Sequence, residues 1–164
     1  MTEFPVRCYI GLGSNLDNPE RHVTTAFEQL AEIGGCRLVT HSSLYRSDPV
    51  GPQDQPDFIN AVAELHTSLE PETLLDQLQA IEQRHQRVRE RHWGPRTLDL
   101  DLLLYGEHQI QTSRLTVPHP HIRERAFVLW PLAEIAADLS LPGGTTLSQW
   151  LALCPMGTLE QMPL

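Results

Sequence analysis

The sequence contains no lysine, and all 12 of its basic residues are arginine. A P-loop needs a lysine to reach the nucleotide phosphates, and Schiff-base catalysis needs a lysine amine, so both kinds of chemistry are excluded. Cysteine is also scarce: there are three residues, odd in number and without C-x-x-C spacing. They indicate reduced thiols in a cytoplasmic protein.

Long apolar runs are missing as well. No stretch approaches the length of a membrane span, and residues 1–5 do not have the pattern of a signal peptide. We therefore expect a cytoplasmic protein with no membrane partner. The chain has 164 residues, of which 40% are hydrophobic and 20% charged, which predicts one globular domain over residues 1–164.

The net charge of −9 argues against a general nucleic-acid binder. The charge is unevenly distributed, since residues 84–125 carry eight arginines against five acids, a local charge of +3 that leaves −12 elsewhere. Guanidinium groups match phosphate oxygens bidentately, so this arginine-rich segment suits a small polyanion such as a nucleoside triphosphate. A solvated, charged helix end is the alternative interpretation for some of these arginines.

Residues 93–105 form the most informative stretch, because Gly-Pro is followed by residues that alternate as in a β-strand. Asp99 and Asp101 then share one face, with side chains roughly 7 Å apart along the strand. Two neighbouring carboxylates repel each other and favour a bound cation, for which Mg²⁺ is the typical choice. An exposed strand face that carries two acids is the alternative. The opposite, buried face is predicted to carry Leu98, Leu100, Leu102 and Leu104.

The remaining pattern predicts the order strand, helix, strand, strand, helix, strand. This order is typical of an α+β, ferredoxin-like βαββαβ core, an antiparallel sheet with helices on one face, here followed by a C-terminal extension. The other face is then free for a ligand. The predicted strands before the Asp-bearing one are 7–12 (entering a turn at 13–15), 37–45 and 58–65, and the helices begin near Asp17 and Glu70.

Several segments outside these elements carry candidate functional residues. Residues 46–57 are rich in proline and form a long loop, which in a compact domain tends to be functional. In the extended segment 114–121 we expect His119 to bind phosphate or donate a hydrogen bond, and His121 to be structural. A helix over 124–136 follows, then a short amphipathic helix over 147–153.

Four motifs in the same order resemble the 6-hydroxymethyl-7,8-dihydropterin pyrophosphokinase family of folate biosynthesis: residues 11–16, 51–56, 93–101 and 114–120. The likeness covers nearly the whole chain. It implies a transferase that moves pyrophosphate from ATP to the hydroxymethyl group of the pterin and releases AMP. It also implies two Mg²⁺ ions held by Asp99 and Asp101, which agrees with the argument from the strand.

The resemblance also implies roles for individual residues. Phe58 and Phe127 would sandwich the pterin ring, and Asn60 would hydrogen-bond its edge. Arg87 and Arg96 would clamp charge in the transition state, together with the two metal-binding aspartates. The full pterin set is Ser47, Val50, Phe58, Asn60 and Phe127. The full nucleotide set, besides Arg87 and Arg96, is Glu82, Arg89, Trp93, Arg114, Thr116, His119 and Arg125.

Two other functions stay open on sequence grounds. One is a catalytically silent nucleotide-binding module on the same frame. The other is a metal-dependent phosphoesterase that uses the aspartates with His119 and His121, and that would release phosphate without any pterin. For the leading function we expect ATP and the pterin as partners, no nucleic acid, and a chain that acts as a monomer.

Overall fold

The computed structural model describes residues 4–15, 18–47, 57–85, 98–141 and 144–162. A 3-10 turn at Ile122–Glu124 precedes the third helix. The fold is mixed α/β with an antiparallel sheet. In chain order the strands and helices are β1 (Val6–Ser14), α1 (Pro19–Ala31), β2 (Cys36–His41), β3 (Tyr45–Ser47), β4 (Phe58–Thr67), α2 (Pro71–His85), β5 (Asp99–Tyr105), β6 (Ile110–Gln111), β7 (Thr116–Val117), α3 (Ala126–Ala136), α4 (Leu147–Ala152) and β8 (Glu160–Gln161).

The main sheet has the strand order β5-β1-β4-β3-β8, and β2 pairs with β4 beside β3. Each of these pairings is antiparallel. Strands β6 and β7 form a separate two-stranded sheet. The order puts β1 between the Asp-bearing strand β5 and the strand β4 that begins with Phe58. Residues distant in the sequence therefore meet on the face of three neighbouring strands.

Helices α1 and α2 cover one face of the sheet. In α1 the buried residues follow helical spacing. Pro19 lies in the first turn, where its missing backbone N–H is not needed because N–H groups there have no partner within the helix. In α2 the buried residues are Leu74, Leu78 and Ile81. All of them pack into one core with the inward side chains of β1, β4 and β5, as the sequence predicted. Truncating one such leucine to alanine typically costs about 2–5 kcal/mol.

Helices α3 and α4 pack on the second face, around Tyr9, Val62 and Leu129. The expectation that this face is free for a ligand was therefore wrong for the part that α3 covers. Helix α3 is strongly apolar, so it is stable only when most of its surface is buried, and packing against this face of the sheet buries it. The open part of the face lies toward Asp99 and Asp101.

One leucine of the Asp-bearing strand differs from its prediction. Leu98, Leu100 and Leu102 face α1 and α2 as expected, but Leu104 packs in the core on the opposite side. The pairing steps from Ile10–Leu102 to Tyr9–Leu104, which leaves Leu103 as an extra residue. Such a β-bulge shifts every later side chain to the other face.

Two further boundaries differ. Strand β1 runs two residues beyond its predicted end at residue 12, because pairing with β5 continues to Gly13 and pairing with β4 continues to Ser14. The predicted strand 37–45 is divided into β2 and β3 around Ser42. There the Ser42 N–H donates to the Val62 carbonyl at 2.8 Å, and the Ser42 hydroxyl accepts from the Val62 N–H at 2.9 Å. These bonds join the break to β4.

No helix within the described residues is long and apolar enough to span a membrane.

Candidate active site

Asp99 and Asp101 lie on the open face of β5, each opposite a glycine of β1. Asp99 pairs with Gly13, and Asp101 pairs with Gly11. Glycine has no side chain, so β1 places none beside either carboxylate, although the Leu103 side chain lies 3.4 Å from where a Cβ of Gly11 would be. On the other side of β1, Gly13 pairs with Asn60 of β4. Adjacent strands are about 4.8 Å apart, so Asp99 and Asn60 are about 10 Å apart across the glycine.

The glycine at position 13 is needed for this arrangement. A Cβ atom there would lie 3.3 Å from Oδ1 of Asn60 and 4.0 Å from a ring carbon of Phe58. The first distance is tighter than an ordinary contact, so a side chain would push against the amide. The sequence predicted a turn at Gly13, but the residue lies within β1 and its main effect is to open the floor of the site.

A cavity of about 500 Å³ stands over this floor. Its volume is in the range of small-molecule sites. The N-terminal part of α3 and the turn before it form the opposite wall. The described lining contains both members of the acid pair, four members of the predicted pterin set and one member of the predicted nucleotide set. In that order they are Asp99 and Asp101; Ser47, Phe58, Asn60 and Phe127; and Arg125.

The electrostatics of the cavity centre on Asp101. Asp101 is exposed on the cavity surface, yet the protein atoms around it displace part of its hydration, which raises the pKa of this carboxyl; the nearby Arg125 guanidinium opposes that shift. A carboxylate whose hydration is partly displaced is stabilised by a cation. Carboxylate oxygens two residues apart on one strand face are hard ligands of the type that Mg²⁺ prefers.

The pterin-side residues are held by one another. The amide Nδ2 of Asn60 donates to Oγ of Ser47 at 2.7 Å, which orients the amide of the floor. The guanidinium of Arg125 stands over the ring of Phe127, 5.6 Å from its centroid. A flat aromatic on each side and an oriented amide between them are suited to a planar heterocycle. Val50, the remaining member of the pterin set, lies outside the described residues.

Glu82 contacts the Asp-bearing strand directly. Its Oε2 accepts a hydrogen bond from the backbone N–H of Leu100 at 2.8 Å. Leu100 lies between the two aspartates, and β5 is at the edge of the sheet. A carboxylate bound to an outward-facing N–H fixes that edge. Glu82 thus anchors the acid pair, a role that the sequence did not predict.

His119 lies beside the site on the segment after β7. Its backbone N–H donates to the Leu103 carbonyl at 3.0 Å, and its Nδ1 accepts from the His121 N–H at 3.2 Å. Burial, with smaller contributions from Arg125 and His121, lowers the pKa of His119 to about 4. The ring is therefore neutral near pH 7, with the proton assigned to Nε2, which can donate to a ligand.

Arg114 is placed differently. Its guanidinium pairs with Asp76 of α2 at 2.5 Å and approaches Glu72 at 3.6 Å. Arg114 and Thr116, together with Glu82 and His119, are not among the described residues that line the cavity. The structure therefore brings together the metal candidates and the described pterin candidates, whereas these four nucleotide candidates lie outside the described lining of the cavity.

Some lining residues were not predicted. His121 was expected to be structural, yet it lines the cavity and its Nδ1 lies 3.5 Å from Oε2 of Glu124. Gly11, Gly13 and Glu124 were also missed as lining residues. The sequence could have indicated the two glycines, because a G-x-G pattern within a strand leaves one face of that strand without side chains. Arg87, Arg89, Trp93 and Arg96 of the predicted set lie outside the described residues.

Comparisons with known proteins identify one family. The family model for 7,8-dihydro-6-hydroxymethylpterin-pyrophosphokinase (HPPK) matches residues 9–137. The 2-amino-4-hydroxy-6-hydroxymethyldihydropteridine pyrophosphokinase of Pseudomonas aeruginosa is 52% identical over 157 residues, which are 96% of this chain and 97% of that protein. The enzyme of the same name from Haemophilus influenzae is 51% identical, over 88% of this chain and 90% of that one.

Solved structures show the same fold. The wild-type HPPK-DHPS of Plasmodium falciparum with pteroate matches with a TM-score of 0.72 at 12% identity, over 90% of this chain. The match covers 42% of that longer chain, so this chain spans less than half of it. The extent of the family match and the close relatives lead to one conclusion: the chain belongs to the 7,8-dihydro-6-hydroxymethylpterin-pyrophosphokinase family.

Proposed function

We propose that this chain transfers pyrophosphate from ATP to the hydroxymethyl group of 6-hydroxymethyl-7,8-dihydropterin and releases AMP, as a Mg²⁺-dependent step of folate biosynthesis. The observation that carries the proposal is the cavity, which joins the acid pair and the two aromatic rings over one glycine-lined floor. Family membership supports the same reaction.

The proposed metal ligands are Asp99 and Asp101, for two Mg²⁺ ions. The fit rests on three observations: the donors are carboxylate oxygens, both acids open onto the cavity, and the glycines of β1 place no side chain beside either acid. The described residues contain no cluster of three or more His, Cys, Asp or Glu, which leaves further coordination positions to substrate phosphates and water. Bound Mg²⁺ would neutralise phosphate charge and polarise the phosphorus–oxygen bonds.

The pterin is proposed to lie between the rings of Phe58 and Phe127. Its amide-like edge would meet Asn60, whose orientation the Ser47 hydroxyl fixes. Stacking on two rings contributes on the order of 1 kcal/mol for each pair beyond area burial, and an oriented polar group supplies discrimination. Val50 remains part of the proposed pterin set.

The proposed chemistry is an in-line displacement at the β-phosphorus of ATP. The hydroxymethyl oxygen forms a bond to that phosphorus and loses its proton, while the bond to the α-phosphate oxygen breaks and AMP leaves. The protein contributes position and charge: Arg125 faces the acid pair across the cavity, and neutral His119 can donate from Nε2. Arg87 and Arg96 are proposed for the transition-state clamp. The proposed nucleotide-binding residues are Glu82, Arg89, Trp93, Arg114, Thr116, His119 and Arg125.

The overall organisation is also proposed. The strand order β5-β1-β4, with β2 and β3 beyond β4 and all pairs antiparallel, supports a ferredoxin-like core. We propose that residues 1–164 act as a single catalytic domain and as a monomer, with no nucleic-acid partner.

The test is product analysis with purified protein, ATP, Mg²⁺ and hydroxymethyldihydropterin. We expect AMP and the pterin diphosphate in equal amounts, and no turnover when the pterin is omitted. ADP as product would reject the proposed transfer. Phosphate release without pterin would instead favour a phosphoesterase, and ATP binding without any product would favour a silent binding module.

A pair of variants connects the activity to the site. Asp101→Asn keeps the side-chain shape and removes the charge, so we expect a loss of turnover of at least about 100-fold if electrostatic neutralisation dominates. Asp138→Asn makes the same chemical change at an exposed position in the turn after α3 and should retain activity. Equal activity of the two variants would contradict the assignment of Asp101.

A further inference from the structure

A polar contact connects α3 to the segment that leads into β3. Glu134 of α3 accepts hydrogen bonds from the Ser43 N–H at 3.0 and 3.1 Å, from the Ser43 hydroxyl at 2.9 Å and from the Tyr45 hydroxyl at 2.7 Å. We call these three residues the α3–β3 clasp. Glu134 is exposed on the helix surface, whereas Ser43 and Tyr45 are buried, at 8% and 4% exposure. The carboxylate therefore satisfies donors that the fold has largely removed from solvent.

We call the space between the rings of Phe58 and Phe127 the pterin slot. The clasp and this slot lie at opposite ends of α3 and of the segment that contains β3. Phe127 and Glu134 are seven residues apart, which puts them on one face of α3 about 10.5 Å apart along its axis. Ser43 and Ser47 are four residues apart, about 13 Å in extended chain. The two elements thus run side by side from the clasp to the slot, and a contact at one end sets their separation at the other.

Contacts within the sheet make the position of Asn60, at the floor of the slot, depend on the position of β3. Tyr45 pairs with Asn60, and Ser47 pairs with Phe58. The Asn60 amide donates to the Ser47 hydroxyl at 2.7 Å. A shift of β3 would therefore move the Ser47 acceptor and release the amide that the pterin edge is proposed to meet.

The hydrogen bond to Glu134 also keeps Tyr45 a donor. Burial, then the bond to Glu134 and its charge, raise the pKa of the Tyr45 hydroxyl well above its usual range. The phenol therefore stays protonated near pH 7 and donates to Glu134.

We propose that Glu134 is a positioning residue for the pterin site: through Ser43 and Tyr45 it fixes the distance between the Phe127 wall on α3 and the Phe58 and Asn60 wall on β4. This inference rests on the proposed function, because it concerns the substrate that the slot receives. It assigns to Glu134 an effect on pterin affinity, and no effect on the acid pair or on the nucleotide side of the cavity.

Matched tyrosine variants test the clasp. Tyr45→Phe removes the hydroxyl that donates to Glu134. Tyr105→Phe makes the same change at a buried tyrosine whose hydroxyl donates to the Leu69 carbonyl at 2.5 Å, outside the described lining of the cavity. Calorimetry on each full-length variant gives the dissociation constants of hydroxymethyldihydropterin and of a non-hydrolysable ATP analogue with Mg²⁺, and thermal unfolding gives the stability.

We expect Tyr45→Phe to weaken pterin binding about threefold to tenfold, the range of one lost hydrogen bond, with ATP-analogue binding unchanged. Tyr105→Phe should lower the unfolding temperature comparably and leave both affinities unchanged. Glu134→Ala should weaken pterin binding at least as much as Tyr45→Phe, and adding Tyr45→Phe to it should have little further effect. In turnover, KM for the pterin should rise while kcat is retained.

Three results would overturn the inference. Equal losses of pterin affinity in Tyr45→Phe and Tyr105→Phe would mean that only general stability matters. Unchanged pterin affinity in folded Glu134→Ala would mean that the clasp does not reach the slot. Additive effects in the double variant would mean that the two residues act separately. A wild-type protein that binds no pterin would instead overturn the proposed function, and the inference with it.

Discussion

Gly13→Ala is a sensitive test of the glycine floor. The added Cβ would lie 3.3 Å from Oδ1 of Asn60. Ordinary contacts begin near about 3.5 Å, so the amide must retreat by a few tenths of an ångström. Asn60 cannot do so freely, because its Nδ2 is bound to Ser47 at 2.7 Å. In a displaced position the amide would meet the pterin edge poorly, and an unsatisfied polar contact costs about 1–2 kcal/mol of binding free energy, which corresponds to roughly a fivefold to thirtyfold loss of pterin affinity. Overpacking by the added methyl group would separately lower the unfolding free energy by about 1 kcal/mol.

Stability should respond much less than binding. Replacing glycine by alanine restricts the unfolded chain and stabilises the fold by about 0.4–1 kcal/mol where the backbone permits it, which offsets much of the crowding. We therefore expect an unfolding free energy within about 1 kcal/mol of wild type, and pterin affinity about fivefold to thirtyfold weaker by calorimetry.

Gly34→Ala is the matched control for this variant. A Cβ at Gly34 has no neighbouring atom within 4 Å among the described residues, so the substitution acts through the backbone alone. We expect its pterin affinity to equal that of wild type. The reasoning is refuted if Gly13→Ala binds the pterin as tightly as wild type, or if both alanine variants lose affinity to the same extent.

Three further predictions follow from single contacts. Glu82→Ala removes the acceptor of the Leu100 N–H and should lower the unfolding free energy by about 1 kcal/mol or more, whereas Glu82→Gln keeps an acceptor and should lose less; equal losses would contradict the anchor. The pKa of His119 is about 4 in the folded state and near 6.5 in the unfolded chain, so between these values only the unfolded chain takes up the proton, and the free energy of unfolding falls as the pH drops. In denaturant titrations His119→Asn should therefore lose less stability than wild type between pH 7 and pH 5. An equal loss in the variant and wild type would contradict this assignment. Burial raises the pKa of Cys8 to about 12, and the other two thiols are also buried, so a thiol reagent at pH 8 should label the protein only as it unfolds; rapid labelling of folded protein would disprove this.

Much of the fold was predictable because it depends on local periodicity. Alternation within β4 predicts its buried face and the shared side of Phe58 and Asn60, and helical spacing predicts the buried face of α1. The shared face of Asp99 and Asp101 is predictable for the same reason. These patterns hold whatever lies next to them.

The errors arose where a partner strand or helix decides the outcome. Leu104 changes face because the pairing with β1 leaves Leu103 extra, which alternation within β5 cannot reveal. The break at Ser42 depends on bonds to Val62, and the covered second face depends on where α3 packs. In the candidate site, the anchoring role of Glu82 and the space kept by Gly13 likewise depend on neighbours brought together by the sheet.

The most direct test of the central claim is a crystal structure with Mg²⁺, a non-hydrolysable ATP analogue and the pterin bound together. The account predicts metal ions about 2.1 Å from carboxylate oxygens of both Asp99 and Asp101, with the pterin ring between Phe58 and Phe127. Metal ions bound elsewhere with both carboxylates empty, or a pterin outside the two rings, would contradict it.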